Sequence, residues 1–138
     1  MAAQTLRRGF HVAAAFNILG TLLFSRGLTN DLLGELDPGV FGIPGLLLIC
    51  IWGLAYLALA DSFEAAPRVA LVFAIEKLFY VGNWICWLTI HGGELGEVWS
   101  RDPMTAVFYA SYGLGDGAFA LFFIYVWTRR PPAGDGRI

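Results

Sequence analysis

Four long apolar runs, joined by short polar stretches, make up most of this chain and constrain its fold more than any other feature. They fall at roughly 9–25, 41–60, 68–90 and 103–128. A helix that crosses a bilayer takes about 17–25 residues, so each run is long enough, the first being the shortest. Composition agrees: 57% of residues are hydrophobic and 14% charged, against about 45–50% and about 25% in a globular domain. The net charge of −2 offers no basic field for nucleic acid. The expected fold is all-α: a four-helix transmembrane bundle of up-down topology, with residues 1–130 as one membrane domain and 131–138 as a flexible cytoplasmic tail.

The ends of the runs carry start signals. Pro67 and Pro103 suit a first helical turn, and Asp102 precedes Pro103 as an N-cap. Trp84, Trp87 and Trp99 at one end, with Tyr125 and Trp127 at the other, suggest interfacial aromatic belts. Arg7 and Arg8 before the first run resemble the start of a signal peptide, but Arg26 follows where a small-residue cleavage site is wanted, so the run is read as a retained span.

Orientation follows from the arginines. Arg7, Arg8, Arg68, Arg129, Arg130 and Arg137 fall on one side, and only Arg26 and Arg101 on the other. By the positive-inside rule both termini are cytoplasmic, in a multi-pass protein of an inner or plasma membrane. The short 61–67 connection makes spans two and three neighbours. Thr29–Leu36 reads as a short surface helix, Asp37-Pro-Gly as a turn, and Gly42-Ile-Pro-Gly45 as a break where span two begins; the 91–102 loop is read as resting on the interface.

Within span three stands an adjacent acid and base, Glu76-Lys77. An ionised group near the bilayer midplane costs several kcal/mol unless it finds a partner or water, so such residues mark functional sites. At about 1.5 Å per residue, Lys77 lies about 13 Å from the cytoplasmic end of its span and Asp116 about 18 Å from the same face. A lysine is long enough to bridge that difference. With about 100° per residue, Glu76, Tyr80, Asn83 and Trp87 share a stripe, with Lys77 and Trp84 at its edge. Leu71, Ile75, Leu78, Phe79 and Ile85 face lipid. Span four aligns Thr105, Tyr109, Tyr112, Asp116 and Phe123; span one offers Asn17 and Thr21, and span two Trp52 and Tyr56.

The candidate site is therefore Glu76, Lys77 and Asp116, with Tyr56, Tyr80, Asn83, Tyr112 and Asn17 around them. One lysine against two carboxylates leaves −1 if all are ionised. Either a carboxyl holds a proton, or a cation or cationic ligand completes the set. The same residues also suit plain interhelical packing.

Other features carry less chemistry. Gly113, Gly115 and Gly117 flank Asp116 at the spacing that lets helices approach closely, and they lack the lysine of a phosphate loop. His11 and His91 fall at opposite faces, so they share no metal or haem centre, and no Ser-His-Asp set assembles at one depth. Cys50 and Cys86 read as buried thiols at different depths. Neither a cofactor nor a metal is expected.

Gly53-Leu-Ala-Tyr56 followed by Asp61, then Lys77, then Asp116 with Phe119, resembles a pattern of small bacterial four-span membrane proteins, from which Glu76 departs. The resemblance implies the four-span bundle and no activity. Three functions suit the residues: proton or small-ligand binding, with a homo-oligomer needed for transport; an accessory subunit of a larger membrane complex; or an intramembrane enzyme acting on lipid.

Overall fold

The computed structural model describes residues 2–129. Among them the regular elements are all helices, with no strand. Helix α1 spans Ala3–Phe24, α2 Asp31–Leu36, α3 Pro38–Phe41, α4 Ile43–Leu59 and α5 Pro67–His91. A 3-10 turn, Gly92–Glu94, leads to α6, Leu95–Arg101, and then to α7, Pro103–Thr128. The expected tail 131–138, with Arg130 and Arg137, lies outside the described residues.

Two stretches are long and apolar enough to cross a membrane: 67–101, with mean hydropathy 1.5, and α7, with 1.4. Helix α4 is apolar but shorter, at 17 residues. Large apolar side chains stand exposed along all four long helices, Leu19, Ile51, Phe79 and Leu121 among them. Of the arc expected to face lipid, Ile75, Leu78, Phe79 and Ile85 are exposed, while Leu71 is half-buried.

Local chemistry fixes the element boundaries. Pro67 and Pro103 occupy first-turn positions, and the Asp102 carboxylate accepts from the Met104 amide, capping α7. After α1 the chain makes a left-handed turn, with Arg26, Gly27 and Leu28 at φ of 49°, 66° and 69°. Ser25 holds that turn: its carbonyl accepts from the Thr29 and Asn30 amides, and its hydroxyl from Leu28. The surface helix expected near Thr29–Leu36 is α2. Asp37-Pro-Gly is not a turn; Pro38, with φ preset for a first helical position, opens the one-turn α3. The break comes at Gly42, extended between α3 and α4.

Consecutive long helices run antiparallel. Arg7 pairs with Asp61 at 2.5 Å, and Asn17 donates to Ile49 O at 3.0 Å. Trp84 donates to Tyr109 O at 3.0 Å, while Phe73 meets Phe123. The closest backbone packing joins α1 to α4 and α5 to α7; α4 and α5, expected as neighbours from the short 61–67 connection, touch through side chains, Tyr56 reaching Glu76 and Phe73. Small residues decide this. Gly53 sits against Ile18 and Ala14 of α1, and Gly113 lies under the Trp84 ring of α5. Between α4 and α5 the larger Trp52 and Tyr56 intervene, against Phe73.

Two aromatic-rich cores result. One contains Phe10, Tyr56, Phe63, Phe73 and Phe123; the other contains Phe41, Tyr80, Trp87, Tyr109 and Tyr112. Trp84 is half-buried and Trp87 buried, and both turn inward. Their indole N–H groups donate to Tyr109 O and Leu36 O, which rewards inward placement.

Candidate functional site

The polar layer lies between these two cores. Asn17, Glu76, Lys77 and Asp116 are all buried, with Lys77 only 1% exposed. Its ammonium donates to Asp116 Oδ1 at 2.8 Å and to Asn17 Oδ1 at 2.6 Å. It also lies over the rings of Phe16 and Tyr56, 5.5 and 5.4 Å from their centroids. Asn17 completes a relay by donating its amide to Ile49 O, so α1, α4, α5 and α7 are tied through one lysine.

Glu76 belongs to the layer but is held differently. The Tyr56 hydroxyl donates to its Oε2. Its Oε1 lies 4.0 Å from Lys77 Nζ, beyond hydrogen-bond reach. Among the described residues, Oε1 is the buried side-chain oxygen or nitrogen left without a hydrogen-bond partner. A buried carboxylate oxygen in that state is costly, by about 1–3 kcal/mol or more for a charged group.

A cavity of about 130 Å³ adjoins the layer. Asn17, Glu76, Lys77 and Asp116 line it on one side, and Leu33, Phe41 and Tyr80 are among its apolar walls. The polar stripe of α1 continues along it through Thr21 to Ser25, each one helical turn on. Thr21 was readable from the wheel; Ser25 lies four residues further and was missed.

The remaining expected residues divide. Tyr80 and Tyr112 line the cavity. Asn83 forms a separate group, donating to Asp37 Oδ2 at 2.8 Å and to the Tyr112 hydroxyl at 3.0 Å. Asp37 was read as part of a surface turn, and nothing local in the sequence signals its partner on α5. Among the described residues no group of three or more His, Cys, Asp or Glu is placed to hold a metal ion; Cys50 and Cys86 are free thiols, and they are respectively half-buried and exposed rather than buried as expected.

Helices α2 and α3 roof the cavity with Leu33 and Phe41. Side chains from below pin this roof: Tyr109 donates to Leu33 O at 2.5 Å, and Asn30 donates to Thr105 Oγ1 at 2.9 Å. Arg101 reaches Glu35, and Arg26 reaches Asp102 at 2.8 Å. The hydrogen bond from Arg26, then that from Thr105, holds the Asp102 carboxyl down at about 2. This latch stays ionised through the ordinary acidic range.

No protein-family model, curated protein or solved structure matches this chain.

Proposed function

We propose that this chain is a four-span integral membrane protein, both termini cytoplasmic, that binds a proton or a small cationic ligand at Glu76. The observation carrying the site is Glu76 Oε1, a buried carboxylate oxygen without a hydrogen-bond partner, on a residue that lines a cavity. Lys77 is already engaged by Asp116 and Asn17. With +1 from Lys77 and −2 from Glu76 and Asp116, the ionised layer carries −1, which a proton or a cation neutralises.

The membrane reading is supported by the apolar side chains exposed on every long helix, an arrangement that water disfavours over so large a surface. Helices α1 and α4 then join the two longer ones as spans. The arginine distribution supports the orientation.

Infrared difference spectroscopy on the protein in lipid nanodiscs tests the site. A protonated carboxyl band that changes between acid and alkaline buffer, and vanishes in Glu76→Gln, is the expected result. A wild-type spectrum with no such band under any buffer, together with no cation-dependent change, sinks the proposal.

A further inference from the structure

Resting on that reading of Glu76, we infer that the cavity takes a small aromatic ammonium, which enters sideways between α1 and α7 and places its N–H groups on Glu76. The first support is shape. A cavity of about 150 Å³ takes one benzene ring, and this one, near 130 Å³, is of that order. A proton on Glu76 neutralises the layer without using this volume, whereas a ring-bearing cation matches both the charge and the shape.

The second support is chemistry. The chain's own ammonium, Lys77, is already solvated here by carboxylate and amide oxygens together with two ring faces. Its third donor finds no hydrogen-bond partner within the layer, and Glu76 Oε1 finds no donor. A second ammonium supplies that donor and the missing positive charge. Tyr80, Phe108 and Tyr112 offer further ring faces in the same cavity. The titratable groups around Glu76 are Lys77 and Tyr80 on α5, Tyr56 on α4, and Asp116 and Tyr112 on α7; α1 contributes the neutral Asn17. A cation arriving at a protonated Glu76 therefore releases its proton to solvent.

The third support is the route. Apart from Ile49 on α4, the part-exposed members of the cavity's walls are Phe16, Gly20 and Phe24 on α1 and Phe108 and Ser111 on α7. Ring pairs frame this window, Phe16 with Phe119 at 5.1 Å and Phe24 with Phe108 at 5.2 Å. Between them a Cβ added at Gly20 meets nothing within 4 Å. The roof above is closed by Leu33 and Phe41, both buried.

Calorimetric titration of benzylammonium into the full chain in lipid nanodiscs, against empty nanodiscs and in two buffers of different ionisation heat, tests this. Saturable binding with proton release is expected, weakened about tenfold or more in Glu76→Gln. Ethylbenzene, the same shape without charge or N–H, binds more weakly. Gly20→Leu, at a position with room for the side chain, slows association in stopped-flow tryptophan fluorescence while leaving the helical content intact, and an unchanged rate overturns the sideways route. Absence of benzylammonium binding, equal binding of ethylbenzene, or full binding by Glu76→Gln overturns the inference. If the Glu76 carboxyl band still titrates in that case, the ligand class alone is wrong and the proton site stands; if that band is absent too, both fall.

Discussion

Lys77 on α5 and Asp116 on α7 meet at 2.8 Å in a layer where the lysine is almost wholly buried. Removing one member of such a pair strands the other charge in low dielectric, at a cost of about 3–5 kcal/mol, whereas replacing both by apolar residues is often neutral. Lys77→Met and Asp116→Leu are each expected to destabilise the protein by that order, and the double variant to recover much of the loss. Unfolding in mixed detergent micelles measures it. Strict additivity of the two single effects would count against a direct pair.

Glycine contacts give a second, position-specific expectation. A Cβ at Gly113 runs into the Trp84 ring, while one at Gly82 meets nothing within 4 Å. Gly113→Ala is expected to cost about 1–3 kcal/mol through overpacking. It should also shift Trp84 emission as the indole leaves Tyr109 O. Gly82→Ala, on an exposed helical face, is expected to be neutral or to stabilise by about 0.4–1 kcal/mol. Equal effects at the two positions would contradict the packing of α5 on α7.

The Lys77–Asp116 pair was legible because depth along two helices is simple arithmetic and, with Glu76, these are the charges within the two apolar runs 69–90 and 103–128. Tyr56 was legible as one of several donors around the layer, but not as the particular partner of Glu76. Its sequence neighbour Lys77 suggests itself, yet adjacent helical residues diverge by about 100° and do not face each other. The carboxyl turns instead to Tyr56 on α4. The antiparallel order of the long helices was equally readable from short connections, but which helices lie closest depends on where Gly53 and Gly113 point, and that needs the packing itself. The left-handed turn at Arg26 and Leu28 carries no local signal beyond Gly27, since neither flanking residue favours positive φ.

The roof gives a third prediction through Tyr109, whose hydroxyl donates to the buried Leu33 carbonyl. Tyr109→Phe leaves that carbonyl unpaired, at about 1–3 kcal/mol. Hydrogen exchange is expected to accelerate in α2 and α3 while the α5–α7 amides stay protected. Uniform acceleration along the chain would mean that the roof is not a separable unit.

The Arg26–Asp102 latch sets an acid limit for the same segment. Asp102 titrates lower in the folded protein, at about 2, than a free aspartate near about 3.9. A depressed value means that the stabilisation is complete above the unfolded value and is lost as pH falls through the folded one. The roof is therefore expected to hold at pH 4 and loosen towards about pH 2. In Arg26→Gln the leading cause of the depression is gone, so loosening should begin at higher pH, nearer about 3.9. Hydrogen exchange over 26–41, corrected for intrinsic rates, reads this; identical acid profiles for the two proteins would refute the latch.

Topology offers the last test. The Arg7–Asp61 pair at 2.5 Å places the start of α1 beside the chain that follows α4. Arg26–Asp102 and Arg101–Glu35 gather the connections at the opposite end. In a background with Cys50 and Cys86 replaced by alanine, Gln4→Cys and Glu64→Cys should react with an impermeant maleimide from one membrane side, and Glu97→Cys from the other. On the orientation proposed from the arginines, the first pair is expected to label from the cytoplasmic side. All three positions are exposed, so labelling does not require the fold to open. Labelling of Gln4→Cys and Glu97→Cys from the same side would exclude four spans. Either α1 or α4 would then lie outside the bilayer, and Asn17 or Tyr56 would no longer complete the polar layer around Glu76 and Lys77 at the midplane.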